Sequence, residues 1–229
     1  MKDWVRGYYA IVDLLAPDLL APDLPAPAGG DGAAAAGRAW LSQIESRAEA
    51  LLAARPCCLQ LRAKSLGAAA MRDAALYLKD RCRAAAIPFC VNDRLDVALA
   101  VGADVVHLGQ DDLPLADARG IAAGRLAIGF STHNLTQAAA AVAGGADYIG
   151  FGPIFSTRSK LRPDPTVGVE GLRAVAAASP IPVVAIGGIT LDTVASVAAA
   201  GAAAAAVIAA VNDAPDPTDA GRQVAAAFR

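Results

Sequence analysis

Short runs of strand-forming residues alternate along this chain with longer Ala- and Leu-rich runs, and that alternation narrows the fold more than any other feature. Strands are expected at Tyr8–Asp13, Cys57–Arg62, Phe89–Asn92, Val105–Leu108, Leu126–Ser131, Tyr148–Gly152, Pro182–Gly187 and Ala204–Ile208. Helices are expected at Ala33–Ala54, Gly67–Ala86, Arg94–Val101, Leu115–Ala122, Leu135–Ala143, Gly168–Ala178, Leu191–Ala200 and Thr218–Phe228. Strands that alternate with helices imply βαβ units and a parallel sheet. Eight such units close a (β/α)8 TIM barrel. A doubly wound open sheet is the alternative, with fewer strands and a differently placed site. The 229 residues suit one barrel domain spanning 1–229, and 55% apolar residues are enough to bury its core.

Three phrases, Ala85–Pro88, Val101–Asp104 and Gly144–Asp147, each join a helix end to the next strand. They read as turns at the bottom of the barrel, with glycine capping the helix, and hence as structural. The segment 16–32 differs: it carries Ala-Pro-Asp twice, then Pro25, Pro27, Gly29, Gly30 and Gly32. It reads as a Pro/Gly/Ala-rich loop inserted after the first strand, near the barrel mouth.

Charge and composition exclude several classes of function. With a net charge of -2 and no basic block, the chain lacks the electrostatic footprint of a nucleic-acid binder. The apolar stretch Val194–Val211 is interrupted by Gly201 and reads as helix then strand, so no membrane association is expected. The N-terminus lacks the apolar core of a signal peptide, which points to the cytoplasm. Cys57, Cys58, Cys82 and Cys90 form no CxxC pair, and there are only two histidines, so a zinc site is poorly supported. Reduced thiols packed as small apolar groups fit better.

The polar residues fall at the C-terminal ends of the expected strands. The second strand ends in Gln60-Leu61-Arg62-Ala63-Lys64, the third in Asn92-Asp93-Arg94, and the fourth runs into His107-Leu108-Gly109-Gln110-Asp111-Asp112. The fifth ends in Ser131-Thr132-His133-Asn134, the sixth leads to Thr157, Ser159 and Lys160, and the seventh ends in Gly187-Gly188. In an α/β barrel these ends meet on one face, where active sites lie. Arg62 and Lys64 lie two apart on a strand and share a face. With Lys160 they form a cationic set suited to a polyanion. Asp93 and Asp112 beside such cations suggest Mg2+, which binds one or two carboxylates plus substrate oxygens. Helix capping is the rival reading of both. Gly187-Gly188 lets a backbone approach a phosphate ahead of a helix starting at Thr190, or else forms a tight left-handed turn. His107 and His133 lack obvious partners, and His107 reads as structural.

These motifs resemble the thiamine phosphate synthases, from Tyr9-Ala10-Ile11-Val12-Asp13 to Val207-Ile208-Ala209-Ala210-Val211, with the segment 16–32 outside the resemblance. Its most specific parts are Gln60–Lys64, Asn92–Arg94, His107–Pro114, Gly152–Lys160 and Ala185–Ile189. The resemblance implies an enzyme that joins hydroxymethylpyrimidine diphosphate to hydroxyethylthiazole phosphate and releases pyrophosphate. Gln60, Arg62, Lys64, Asn92, Ser131 and Lys160 would hold the pyrimidine diphosphate, with Arg62, Lys64, Ser131 and Lys160 carrying the catalysis. Asp93 and Asp112 would bind Mg2+, and Thr157, Ser159, Gly188, Ile208 and Ala209 would contact the thiazole phosphate. The implied reaction is dissociative: pyrophosphate departs and the thiazole nitrogen captures a pyrimidine-stabilised cation. It needs charge neutralisation, alignment and dryness rather than a protein nucleophile.

Three positions depart from the family pattern. Ala63 stands where an acidic residue is usual, Ser159 for the usual Thr, and Ala209 for the usual Ser, which bears on thiazole affinity. The rival readings are a thiazole isomerase relying on His133 and a non-catalytic barrel that binds a phosphate ligand. Small-molecule substrates are the expected partners, and homo-oligomer formation is left open.

Overall fold

A near-continuous apolar strand, rather than an alternating one, signals a strand covered on both faces. The computed structural model, which describes residues 4–14, 44–157 and 164–229, shows that arrangement. Eight strands, β1 (Gly7–Asp13), β2 (Cys58–Arg62), β3 (Phe89–Asn92), β4 (Val105–Leu108), β5 (Ala127–Thr132), β6 (Tyr148–Phe151), β7 (Val183–Ile186) and β8 (Ala204–Val207), form a closed barrel in chain order. Every neighbouring pair is parallel, and β8 closes the ring on β1 through Gly7↔Ala204 to Ala10↔Val207. The helices are α1 (residues 44–53), α2 (Ala68–Ala85), α3 (Leu95–Val101), α4 (Leu115–Ala122), α5 (Leu135–Ala143), α6 (Gly168–Ala178), α7 (Val194–Ala199), α8 (Ala209–Asn212) and α9 (Pro217–Ala226). The expected segment 16–32 and the start of the first expected helix lie outside the described residues.

The period-two geometry of a strand sorts the core into two clusters. Ala10, Val12, Leu59, Leu61, Val91, Val106 and Val207 pack outward with the helices. Tyr9, Ile11, Cys58, Cys90, Val105, Tyr148, Val184, Ala204 and Ala206 fill the interior, with Trp4 packed edge-on against Tyr148 at 5.9 Å. Ala63 is buried in the outer cluster, so the departure at this position faces away from the barrel mouth.

The interior holds large rings only because glycine faces them. A Cβ on Gly129 would sit 2.1 Å from Tyr148 Cζ. Gly129→Ala is therefore expected to destabilise the fold by about 2 kcal/mol, as overpacking does. Gly120→Ala in α4, where an added Cβ meets nothing within 4 Å, is expected to stabilise by up to about 1 kcal/mol. Urea unfolding of both variants checks this, and equal shifts would contradict it.

The three recurrent phrases are the turns expected at the strand N-terminal ends. The second and third close in Asp104 and Asp147, which accept the backbone N–H groups of Phe89 (2.9 Å) and Ile128 (2.7 Å) and tie those two turns to the preceding strand. Asp147 also pairs with Arg119. The glycine reading needs one correction. Gly102 and Gly145 take the left-handed conformation (φ 65 and 84), but in Ala85–Pro88 it is Ala86 that does so (φ 55), because the sequence offers no glycine there.

Other boundaries shift locally. The helix expected from Leu191 begins at Val194, because the Thr193 hydroxyl accepts the Thr190 N–H at 2.9 Å and holds a turn ahead of it. The last helix begins at Pro217 and is capped by Asp216, whose carboxylate accepts the Asp219 N–H. The short helix α8 was not expected. The thiols are all free: Cys58, Cys82 and Cys90 are buried, and burial pushes the Cys57 and Cys82 thiols up to about 12. That suits inert packing groups.

Candidate active site

Because all strands run parallel, their C-terminal ends form one rim, and it gathers residues from six of them. β2 contributes Gln60, Arg62 and, just beyond it, Lys64; β3 contributes Asn92 and Asp93. The turn after β4 carries Asp112, β5 carries Ser131, and Gly187-Gly188 follow β7. β1 adds a residue that the sequence reading left out of the site. Asp13 is 6% exposed, and both its oxygens accept from Arg62 Nη1, at 2.6 and 2.7 Å. The signal was present, since Asp13 ends its strand as the other site residues end theirs. Arg62 Nε and Nη2 have no described partner and remain available as donors.

Lys64 Nζ lies 3.3 Å from Asp93 Oδ2. Asp93 follows β3 with φ 63, a conformation that Asp and Asn tolerate better than other non-glycine residues. Asp112 Oδ2 accepts the Gly109 N–H at 2.6 Å. Capping explains neither acid: α3 is preceded by Arg94 and α4 by Pro114, each without a side-chain cap bond. Burial raises the Asp112 carboxyl above its ordinary range; the Gly109 N–H opposes this, and the nearby Asp93 charge adds to it.

The balance of charge matters for a ligand. Arg62 and Lys64 give two positive charges; Asp13, Asp93 and Asp112 give three negative ones, a difference of one negative charge. Arg62 and Lys64, two of the three cations expected to attract a polyanion, are thus each paired with a carboxylate, so part of their charge is offset before a ligand binds. A divalent cation between Asp93 and Asp112 would relieve their mutual repulsion and reverse the sign of the rim. Among the described residues no group of three or more metal-binding side chains exists. Two carboxylates are nevertheless what Mg2+ needs when substrate oxygens complete its shell. The residues therefore fit the ion.

Asn92 is 8% exposed and makes no side-chain hydrogen bond to a described residue. A nearly buried amide without a partner is costly unless a ligand or water satisfies it. Gln60, 4% exposed, donates from Nε2 to Tyr9 Oη at 3.1 Å. Ser131 Oγ lies 2.9 Å from His107 Nε2, and Gln110 Nε2 donates to the Ser131 carbonyl at 2.6 Å.

Both histidines have partners, contrary to expectation. His107 Nδ1 lies 3.0 Å from Tyr148 Oη. His133 Nδ1 donates to the Gly152 carbonyl at 2.5 Å, and its Nε2 lies 3.5 Å from Asp164. The sequence could not show these contacts, because they join strands far apart in the chain.

Burial pushes His107 down to about 4 from 6.5, with Asp112 opposing. The unfolded chain therefore binds more protons between these values, so stability falls as pH drops from 6.5 to 4. The loss at the acid end is about 3 kcal/mol. In His107→Gln the urea midpoint should depend less on pH across that window. An unchanged slope would show that other groups dominate.

Gly187 (φ 98) and Gly188 (φ 66) are both left-handed, and an added Cβ would lie 2.5 Å from Pro153 Cβ or 2.4 Å from the Ser156 carbonyl. They allow the loop after β6 to lie against the loop after β7. The helix expected at Thr190 to face a phosphate starts only at Val194, so its N-terminus is further along than anticipated. Ile208 precedes α8 and Ala209 opens it, so the first amide groups of that turn lack intrahelical acceptors. Thr157 is half-buried at the end of its described segment, while Ser159 and Lys160 lie outside the described residues.

Comparison with known proteins gives a consistent result. Residues 35–211 match the family model described as thiamine monophosphate synthase. The thiamine-phosphate synthase of Chloroflexus aurantiacus is 45% identical over 178 residues, 78% of this chain and 82% of that protein. That of Anaeromyxobacter dehalogenans is 48% identical over 183 residues, 80% of this chain and 82% of that protein. Among solved structures, the thiamine phosphate pyrophosphorylase from Pyrococcus furiosus superposes with a TM-score of 0.79 at 33% identity, covering 99% of this chain and 96% of that one. A 3-hexulose-6-phosphate synthase, 18% identical with a TM-score of 0.64 over 97% of this chain and 100% of that one, shares the fold alone.

Proposed function

The chain belongs to the thiamine monophosphate synthase family and is a transferase of thiamine biosynthesis acting on small molecules; from that premise we propose how its barrel rim makes thiamine phosphate. The substrates are hydroxymethylpyrimidine diphosphate and hydroxyethylthiazole phosphate, and the products are thiamine phosphate and pyrophosphate. Arg62 and Lys64, joined by Lys160, bind the diphosphate, Arg62 through the fork of donors left free by Asp13. Gln60, Asn92 and Ser131 orient the pyrimidine end. Thr157, Ser159 and the backbone at Gly188, Ile208 and Ala209 hold the thiazole phosphate. Asp93 and Asp112 hold Mg2+, which when bound supplies positive charge to the departing diphosphate.

Catalysis then consists of stabilising the leaving group and aligning the second substrate. Arg62, Lys64 and Lys160 meet the charge that develops as the bond to the diphosphate breaks. The apolar interior beneath the rim keeps water from the cation until the thiazole nitrogen reaches it. No protein nucleophile is required. A cytoplasmic location and a single barrel domain over 1–229 belong to the same proposal; four free thiols support the first.

The observation that carries the reading is the gathering of Arg62, Lys64, Asn92, Asp93 and Asp112 on one rim with a residual negative charge that Mg2+ would offset. The test is a coupled pyrophosphate-release assay. Release should require both substrates and Mg2+. Release from the pyrimidine diphosphate alone, or none with folded protein, would overturn the reading.

A further inference from the structure

A line of polar side chains crosses the otherwise apolar barrel interior, and the transfer reaction makes no direct use of most of it. Gln60 Nε2 lies 3.1 Å from Tyr9 Oη, Tyr9 Oη lies 2.9 Å from Tyr148 Oη, Tyr148 Oη lies 3.0 Å from His107 Nδ1, and His107 Nε2 lies 2.9 Å from Ser131 Oγ. Tyr9 and Tyr148 are 2% and 0% exposed. Their hydroxyls are deep enough that each must find its partners inside the protein.

The line has a direction. The Cys90 thiol donates to the Val91 carbonyl, so its sulfur is left to accept from Gln60 Nε2, at 3.7 Å. That fixes the Gln60 amide with its N–H groups toward Cys90 and Tyr9. With Tyr9 accepting from Gln60, the ordering that gives each hydroxyl one donor and one acceptor along the line has Tyr9 donating to Tyr148 and Tyr148 donating to His107 Nδ1. A neutral imidazole has one N–H, so the proton must then be on Nε2, where it points at Ser131. With its oxygen accepting from His107, Ser131 has its own hydroxyl proton free for a ligand. Burial favours the neutral ring that this requires.

We propose that Gln60, Tyr9, Tyr148 and His107 form a one-way hydrogen-bond chain that holds the Ser131 hydroxyl as a donor to the bound pyrimidine diphosphate, with Tyr9, Tyr148 and His107 as positioning residues. This rests on the reading of Ser131 as a substrate contact. Reversed, the chain would make Ser131 donate to His107 and present only lone pairs to an anionic leaving group, which would repel it. The chain thus matches a hydroxyl to a negative ligand from within the barrel.

The test uses the full chain and has two independent readouts. The protein contains only His107 and His133, so 15N-histidine labelling gives two resolvable rings. The His133 ring, whose Nδ1 donates to the Gly152 carbonyl and whose Nε2 faces Asp164, is assigned separately by His133→Gln. His107 should carry its proton on Nε2 in the wild type and become a mixture of tautomers in Tyr148→Phe, a change that keeps the buried ring. A wild-type His107 protonated on Nδ1 would overturn the proposal.

The second readout is kinetic. Tyr148→Phe should lower kcat by about fivefold, the effect of one hydrogen bond, with little change in KM for the thiazole phosphate. In a Ser131→Ala background the same substitution should lower kcat by less than about twofold, because its route of action is gone. A full fivefold loss in both backgrounds would mean that Tyr148 acts through packing and would overturn the chain. If the wild type releases no pyrophosphate at all, the synthase reading fails, and the His107 tautomer alone decides the chain's direction.

Discussion

Asp93→Asn is expected to lower pyrophosphate release by about 100- to 1,000-fold, the range seen when one preorganised group at a developing charge is lost. Asparagine is the informative replacement because Asp93 has φ 63. Asn tolerates that conformation, whereas alanine adds roughly 1–2 kcal/mol of backbone strain that would confuse the result. The substitution removes one negative charge and frees Lys64 from its 3.3 Å pair. The rim then has as many positive as negative charges among Arg62, Lys64, Asp13 and Asp112. With Mg2+ bound the rim carries one net positive charge, which the variant without the ion lacks, so the loss should fall mainly in kcat and be accompanied by a higher KM for the pyrimidine diphosphate. The remaining activity should respond little to Mg2+. Undiminished, Mg2+-dependent release from folded protein would show that the ion is held elsewhere.

That charge balance also shows where the sequence was legible and where it was not. Phe89–Asn92 and Val105–Leu108 are strands at the residues expected, because a short apolar run with valine or an aromatic ring, bounded by Pro88 or Gly109, is a local signal. The polar strand ends were equally visible, and parallel closure was enough to bring them to one face. Which ends touch was not visible. Asp13 and Arg62 are 49 residues apart, and Tyr9 and Tyr148 are 139 apart. The first depends on the β1–β2 register, which sets Asp13 opposite Arg62, and the second on barrel closure, and neither is written in a local pattern. The cationic set read from Arg62, Lys64 and Lys160 therefore carried no sign of the Asp13 and Asp93 pairings, since spacing along β2 says nothing of the carboxylates supplied by β1 and β3. Ala86 shows the opposite limit. A turn was correctly located, but the residue that turned left-handed had no compositional mark.

The Arg62–Asp13 pair separates stability from catalysis, and Arg62→Ala is the variant expected to damage both. It leaves Asp13, 6% exposed, as a nearly buried carboxylate whose described bonding partner is gone. Breaking such a pair from one side destabilises by roughly 3–5 kcal/mol. The same change removes the planar donors proposed to grip the diphosphate, so kcat/KM should fall by about 1,000-fold, or roughly 4 kcal/mol of transition-state binding. The double variant Asp13→Ala, Arg62→Ala distinguishes the two effects. Removing both partners leaves no uncompensated buried charge, so urea unfolding should show most of the stability returning. Activity should not return with it, because no cation has been restored at that point of the rim. Recovery of both would make Arg62 a structural partner of Asp13 and place the diphosphate clamp on Lys64 and Lys160 alone. Recovery of stability without activity would mean that Asp13 holds a catalytic arginine in position, with its remaining donors turned to the substrate.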